Sequence, residues 1–332
     1  MKNLMKATLG AAVVLALPVL SFAEGRSIYG PDNRLDYFEA SAGMQTLSNS
    51  VVSLWQSYKV VANASTGKYD LSTRTLGEAR NLCPSEKFRD QKIGAFCSGS
   101  LVGEDLVMTA GHCIETEADC ADTKLVFGFK VGKAGETGPS SIAKSEVYTC
   151  SSIVKRYLGA GLGADYALIK LDRKVTGHAP LAINRTGAIK RDTKIFVIGH
   201  PSGLPLKVAA DSKVRDVSRP GYFVADLDTF GGNSGSAVFN LATNKIEGIL
   251  VRGDEDYTST PAGCDTVATF PQAGGRGEDV TKISELSSFI PKLPAERFAG
   301  YVDIDVRDML MVMPADNTRV VMPLIRDPFK VE

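Results

Sequence analysis

The chain has 332 residues, of which 44% are hydrophobic and 23% are charged, and this composition is typical of a folded globular protein. Its length suffices for one large all-β domain or for two smaller domains. The 38 basic residues are balanced by 38 acidic ones, so we expect neither a nucleic acid nor an anionic membrane surface as the partner.

The first 23 residues have the pattern of a secretory signal peptide. Lys2 and Lys6 provide a positive start, an apolar run covers residues 9–20, and Ala23 ends a small-residue cleavage site. A retained membrane anchor is the alternative, but the apolar run is shorter than the ~20 residues of a transmembrane helix. We therefore expect residues 1–23 to be removed, leaving a secreted or periplasmic protein with no membrane span.

Short apolar runs and turns dominate the remainder of the chain. Residues 24–49 form an irregular N-terminal segment that can include a short pro-segment, with Arg26 as a candidate processing site. Over residues 50–292, many short apolar runs alternate with turns rich in Gly, Asp, Asn and Pro. Because this alternation is typical of β-barrels and β-sandwiches, we predict an all-β domain there.

Two features are expected near the C-terminus. Over Asp279–Phe289 an acidic residue precedes apolar residues at helical spacing, which predicts one short helix. Residues 293–332 form a C-terminal extension in which two apolar runs flank residues 314–317, the pattern of a β-hairpin.

Cysteine spacing bears on both disulfides and metals. An even number of cysteines behind an export signal favours disulfide bonds. No pair has the Cys-x-x-Cys spacing of a zinc or redox site, so we predict no metal site. The six are Cys83, Cys97, Cys113, Cys120, Cys150 and Cys264.

Only three histidines could serve as a general base, namely His112, His178 and His200. A neutral imidazole is the usual base for a serine nucleophile near pH 7. His112 follows a predicted strand in the sequence Thr-Ala-Gly-His-Cys, whereas His178 and His200 lie in turns beside glycine and proline. We therefore predict that His112 is the base.

Ser234 is the candidate nucleophile, in the sequence Gly-Gly-Asn-Ser-Gly-Ser. Glycines on both sides allow a sharp turn and a close approach of substrate to the backbone. The N–H groups of Gly232 and Ser234 can then converge on one developing oxyanion. For this motif alone, an ordinary Gly/Ser turn is the alternative.

Asp165 is the candidate third member of a catalytic triad. It begins the largely apolar run Asp165–Leu171, and a carboxylate at the head of a buried strand requires a partner. Such a carboxylate can orient the base. Asp105 and Asp172 are rivals, but they lie in turns among charged neighbours.

These motifs, in the order His, Asp, Ser, resemble those of the chymotrypsin-like serine proteases over roughly residues 50–291. The Gly-Asn-Ser-Gly-Ser form is similar to that of the bacterial glutamyl-endopeptidase branch. The resemblance implies two six-stranded antiparallel β-barrels, with His112 and Asp165 in the first and Ser234 in the second. We also expect a disulfide between Cys97 and Cys113, which would fix the loop of the base. The pairing of the other four cysteines stays open.

Substrate specificity is predicted from the same resemblance. Asp228 lies six residues before Ser234, where trypsin has a pocket aspartate, which favours cleavage after Arg or Lys. Thr229 matches the glutamyl endopeptidases, but Leu250 stands where their pocket histidine would be. Cleavage after Glu is therefore the alternative, and a second one is that Asp228 points away from the pocket and binds a loop backbone. Residues 251–253 (Val251, Arg252 and Gly253) are expected to pair with the substrate backbone.

The resemblance implies a secreted serine endopeptidase that needs no cofactor. Protein or peptide substrates are the expected partners, and a monomer is expected. The rival from another class is a non-catalytic or very narrowly specific toxin-like or binding protein on the same scaffold, because fold alone does not establish activity.

Overall fold

The computed structural model describes residues 28–159, 161–294 and 296. The chain divides into two units, Met1–Pro291 and Lys292–Glu332. The predicted signal peptide, the candidate processing site Arg26 and nearly all of the predicted C-terminal β-extension lie outside the described residues.

The described residues are mostly strands joined by short turns. The elements up to residue 171 are, in chain order, β1 (Ile28–Tyr29), β2 (Arg34–Asp36), α1 (Ala42–Ser48), β3 (Val51–Gln56), β4 (Val60–Asn63), β5 (Lys68–Leu71), β6 (Arg74–Thr75), α2 (Leu76–Arg80), β7 (Lys92–Ile93), β8 (Cys97–Leu101), β9 (Leu106–Thr109), α3 (Glu117–Ala121), β10 (Thr123–Val126), β11 (Ser141–Ala143), β12 (Val147–Leu158) and β13 (Asp165–Leu171).

The later elements are all strands apart from single 3₁₀ turns. They are β14 (Lys194–Gly199), β15 (Lys207–Asp216), β16 (Tyr222–Ala225), β17 (Ala237–Asn240), β18 (Ile246–Arg252), β19 (Tyr257–Ser259), β20 (Asp265–Val267), β21 (Thr269–Phe270) and β22 (Glu278–Lys282). The 3₁₀ turns cover Tyr37–Glu39, Ser57–Lys59, Lys144–Glu146, Pro201–Gly203 and Ile283–Glu285.

Two closed antiparallel barrels of six strands each form the domain, which confirms the predicted fold class. The first runs β10-β12-β13-β9-β8-β3 and closes on itself. The second runs β14-β17-β18-β22-β16-β15, and the pairing of β15 with β14 closes it. Strand β2 of the N-terminal segment adds to the outer edge of β15.

Alternating side chains on β14 explain why its sequence is apolar without interruption. Ile195 and Val197 pack inside the second barrel with Phe223, Val238 and Val280. Phe196 and Ile198 belong instead to the large cluster that contains the core of the first barrel. Successive side chains of a strand point to opposite faces, so a strand that is buried on both faces needs apolar residues at every position.

The prediction of a short helix over Asp279–Phe289 is wrong. Residues 278–282 form β22, and only Ile283–Glu285 make a 3₁₀ turn. The apolar spacing arises because Val280 faces the interior of the second barrel whereas Ile283 packs in the other cluster. Asp279 is not a helix cap, because its carboxylate is buried and bound by Arg252 and Arg276.

The N-terminal segment is built into the second barrel. Asp36 on β2 and Lys207 on β15 form a buried ion pair, with Oδ1 and Nζ 2.6 Å apart. The same Nζ donates to Oε1 of Gln91 at 2.7 Å and to the carbonyl of Pro205 at 2.9 Å. A buried charge is tolerated only when it is paired and hydrogen-bonded, and these three acceptors meet that condition.

Three disulfides cross-link the domain. Cys97 bonds Cys113, as expected, and the open pairings resolve as Cys83–Cys264 and Cys120–Cys150. The Cys83–Cys264 bond joins residues 181 positions apart. It links the segment between α2 and β7 to the turn between β19 and β20. Among the described residues, no helix is both long and apolar enough to cross a membrane.

Candidate active site

The loop after β9 presents His112, and the head of β13 presents Asp165. Nδ1 of His112 lies 2.6 Å from Oδ2 of Asp165. Oδ1 of the same carboxylate accepts the backbone N–H groups of Gly111 at 2.6 Å and His112 at 3.2 Å. The carboxylate thus fixes both the ring and the main chain of the histidine. In a neutral imidazole, this contact leaves the proton on Nδ1 and makes Nε2 the acceptor.

Asp165 is held rigidly between the two barrels. Its side chain is 2% exposed, whereas that of His112 is 34% exposed. Its N–H donates to Oγ1 of Thr281 at 3.0 Å, and that hydroxyl donates to the carbonyl of Asp165 at 2.9 Å. Strand β22 of the second barrel therefore fixes a residue of the first barrel. The rivals are nearer to solvent: Asp105 pairs with Lys170, and Asp172 pairs with Arg173.

Ser234 lies in the tight loop before β17, in the second barrel. Gly232 and Gly235 have φ angles of +94° and +91°, a region that favours glycine. A β-carbon at Gly235 would overlap the carbonyl of Ser98, and one at Gly232 would lie 2.8 Å from the carbonyl of His200. The flanking glycines are therefore required by both conformation and space.

The amide groups of this loop divide into two sets. The N–H groups of Asn233, Gly235 and Ser236 donate to backbone carbonyls at 2.8–2.9 Å, and that of Gly231 donates to Oδ2 of Asp256 at 2.8 Å. Within the described residues, the N–H groups of Gly232 and Ser234 donate to no protein acceptor. These are the two N–H groups that the sequence predicts as donors to the oxyanion.

Ser98 and the Cys97–Cys113 disulfide connect the histidine loop to the serine loop. The N–H of Ser98 donates to the carbonyl of Ser234 at 2.8 Å, and its Oγ donates to the carbonyl of Gly232 at 2.8 Å. Sγ of Cys113, the neighbour of His112, lies 3.7 Å from the carbonyl of Ser234. Within the described residues, no hydrogen bond joins the His112 ring to Oγ of Ser234. Such bonds often form only when substrate is present.

A cavity of about 220 Å³ lies beside Ser234. The predicted substrate-contacting residues Thr229, Val251, Arg252 and Gly253 line it. The other lining residues are Phe230, Gly231, Leu250, Asp254, Glu255, Asp256 and Glu278. Its walls therefore carry four acidic side chains against a single basic one.

Asp228 occupies a different place from the one expected. It is 3% exposed, and its Oδ1 and Oδ2 accept the backbone N–H groups of Tyr29 at 2.8 Å and Asn33 at 3.0 Å. Its carboxylate binds the N-terminal segment, as the second alternative reading held, and it is not among the residues that line the cavity. Burial raises the pKa of Asp228 to about 6.

Arg252 lines the cavity, but its guanidinium is engaged elsewhere. Nε lies 3.1 Å from Oδ2 of Asp279, and one terminal nitrogen donates to the carbonyl of Gly163 at 2.6 Å. The other lies 4.0 Å from Oδ2 of Asp165. The cation is thus shared between two buried carboxylates, so the net charge that the cavity presents is negative.

Sequence reasoning did not single out Glu278, although it lies at the inner end of this cavity. The available signal was weak: an acidic residue that follows glycine and begins β22, a strand in which only Val280 is apolar. The helix predicted over Asp279–Phe289 began one residue after Glu278, so the sequence offered no reason to place this acid in a barrel.

Three comparisons identify known proteins to which this chain is similar. Residues 97–249 match a family model described as a trypsin-like peptidase domain. The chain is 28% identical over 162 residues to secreted RxLR effector protein 73 of Plasmopara viticola, an alignment that covers 46% of this chain and 40% of that protein. It is 29% identical over 163 residues to a glutamyl endopeptidase of Staphylococcus aureus, covering 46% of this chain and 45% of that one.

The chain thus spans less than half the length of the curated relatives that it matches. Among solved structures, the VesB protease of Vibrio cholerae aligns over 78% of this chain and 66% of its own, with 16% identity and a TM-score of 0.46. By the family match, residues 97–249 of this chain are similar to the trypsin-like peptidase domain.

Proposed function

We propose that this protein is an exported serine endopeptidase that cleaves peptide bonds by acyl transfer. The observation that carries the proposal is the contact of 2.6 Å between Nδ1 of His112 and the buried carboxylate of Asp165. In the same domain, Ser234 lies in a tight loop in which the N–H groups of Gly232 and Ser234 donate to no acceptor within the described residues. In a catalytic triad, a buried carboxylate holds the imidazole in the orientation that catalysis needs. A protein with a purely structural role would not need this contact.

In the proposed reaction, Oγ of Ser234 attacks the scissile carbonyl carbon while Nε2 of His112 takes the hydroxyl proton. Asp165 holds the ring in the tautomer that can accept this proton and stabilises the imidazolium that forms. The C=O π electrons move to the oxygen, which accepts hydrogen bonds from the N–H groups of Gly232 and Ser234. His112 then protonates the leaving amine, and water attacks the acyl-enzyme by the same sequence of steps.

The substrate backbone would add to the end of β18. The first residue of β17, Ala237, pairs with Ile249, and β18 continues beyond that point to Arg252. Along residues 251–253 the edge that faces Ser234 has no strand partner in the described part of the chain. An extended peptide can occupy such an edge by main-chain hydrogen bonds.

Cleavage after Arg or Lys is the specificity that we propose, because acidic side chains dominate the cavity. A substrate glutamate would meet four carboxyl groups there, and Leu250 stands where glutamyl endopeptidases have a histidine. Cleavage after Glu, the activity in the printed name of the Staphylococcus aureus relative, is the alternative.

Export is proposed from residues 1–23 and from the three disulfides, because disulfides persist in oxidising compartments. We also propose a monomer that acts on proteins or peptides without a cofactor. A non-catalytic role is the second candidate, and the pairing of His112 with Asp165 argues against it.

A peptide-library digest tests the proposal. The purified mature protein is expected to hydrolyse peptides, and Ser234→Ala, which removes only one hydroxyl, is expected to reduce the rate by at least ~10³-fold. Hydrolysis that is unchanged in Ser234→Ala, or no hydrolysis by folded wild-type protein, would refute it.

A further inference from the structure

Glu278 is a buried acid at the end of the cavity beside Ser234. It is 2% exposed and begins β22, where it pairs with Ala225 on β16. Because alternate residues of a strand share a face, Glu278 lies on the same side as Val280, whose side chain is in the core of the second barrel. Its side chain therefore closes that end of the barrel, and it also lines the cavity.

Two neutral hydroxyl groups orient this carboxyl group. Oγ1 of Thr229 donates to Oε2 at 2.6 Å, and the hydroxyl of Tyr29 lies 3.3 Å from Oε1. Within the described residues, Glu278 forms no salt bridge. An ionised carboxylate at such a depth is costly without a cationic partner, so the site is complete only when a cation enters.

Gly253 leaves the approach to Glu278 open. A β-carbon at this position would overlap the carboxyl group of Glu278, so any other residue would fill the space in front of the acid. Gly253 also lies on the open edge proposed for the substrate backbone. The cavity has a volume of about 220 Å³, well above the ~30 Å³ that one water molecule takes up in the liquid.

We propose that Glu278, and not Asp228, recognises the Arg or Lys side chain before the scissile bond. This inference rests on the proposed function and names the residue behind its specificity. The guanidinium or ammonium group would enter past Gly253 and pair with a carboxyl group that Thr229 and Tyr29 already orient. Asp228 cannot serve, because both of its oxygens bind the backbone of residues 29–33.

The charges around Glu278 support this assignment. Burial, together with the negative charge of Asp256, raises the pKa of Glu278 well above its ordinary value, against the opposing effects of the Thr229 and Tyr29 hydrogen bonds and of Arg276. A cation that enters the cavity would favour the ionised form of Glu278 and so oppose the effect of burial. An apolar side chain would form no ion pair with it.

Matched substrates test the proposal in wild-type protein, Glu278→Gln and the control Asp228→Asn. The substrates differ only in the residue before the scissile bond, which is Arg, Lys, Gln, Glu or Phe. We expect the wild type to prefer Arg and Lys. Glu278→Gln, which keeps the size of the side chain, is expected to lose at least ~30-fold in kcat/KM for Arg and Lys, with less than ~3-fold change for Gln and Phe. Asp228→Asn is expected to keep the wild-type ratio of Arg to Gln even if it is less stable.

Benzamidine, a small aryl amidine, tests the same site without hydrolysis. Calorimetry is expected to show binding to the wild type and to Asp228→Asn, and at least ~30-fold weaker binding to Glu278→Gln. Loss of the Arg preference in Asp228→Asn rather than in Glu278→Gln, a wild-type preference for Glu or Phe, or equal amidine binding by both variants would overturn the inference. If no substrate is cleaved, the proposed function fails, and amidine binding still decides the role of Glu278.

Discussion

Replacing Ser98 by alanine is expected to disturb the site without touching any member of the triad. Ser98 is fully buried on β8. Its Oγ donates to the carbonyl of Gly232 at 2.8 Å and accepts the N–H of His200 at 2.9 Å. The substitution leaves the buried N–H of His200 and the half-buried carbonyl of Gly232 without these partners.

The magnitude follows from those two groups. A buried polar group without a partner costs about 1–3 kcal/mol, and the carbonyl of Gly232 costs less because it is half-buried. Ser98→Ala should therefore lower the free energy of unfolding by about 2–4 kcal/mol. Removing one oxyanion donor costs ~10²–10³-fold in kcat. A displaced donor should cost less, so we expect kcat to fall by roughly 10–100-fold, with KM nearly unchanged.

Ser100→Ala is the matched control on the same strand. Ser100 is also fully buried, but within the described residues its Oγ has no hydrogen-bond partner. Removing that hydroxyl should be neutral or stabilising. Denaturant unfolding and steady-state kinetics on both variants give the comparison. Equal effects of the two substitutions would refute the argument that Ser98 positions the serine loop.

Two further predictions concern the histidines. Asp165→Asn should lower kcat by about 10⁴-fold with little change in KM, because an amide NH₂ facing Nδ1 of His112 favours the wrong tautomer; a loss under 10-fold in a kinetic assay would contradict the role of Asp165. Burial lowers the pKa of His200 from 6.5 to about 4, so this residue costs no stability above pH 6.5, and its protonation in the unfolded state lowers the free energy of unfolding by about 3 kcal/mol as pH falls toward 4. Between pH 7 and pH 4, the free energy of unfolding measured with denaturant should fall less in His200→Gln than in the wild type. An equal fall in both proteins would show that other groups cause the pH dependence.

The local motifs could be predicted because each one is short and chemically constrained. The histidine pentapeptide, the head of β13 and the glycine-flanked serine each need particular residues next to one another. The two amides at Gly232 and Ser234 follow from the same constraint, since only glycine adopts the required turn.

Long-range features could not be predicted in the same way. The helix expected over Asp279–Phe289 failed because residues of β22 and the turn after it face different clusters and so imitate helical spacing. The position of Asp228 relative to Ser234 does not reveal that Tyr29 and Asn33, almost 200 residues earlier, bind its carboxylate. The role proposed for Glu278 likewise depends on a long-range contact, because β22 and the loop that carries Ser234 line the same cavity.

A crystal structure of the protein inactivated by an organophosphonate tests the central claim most directly. We expect phosphorus to be bonded to Oγ of Ser234. Its phosphoryl oxygen should lie about 3 Å from the N–H groups of Gly232 and Ser234, with the His112 ring beside the adduct and still bound to Asp165. An adduct on another residue, or a phosphoryl oxygen directed away from both amides, would contradict it.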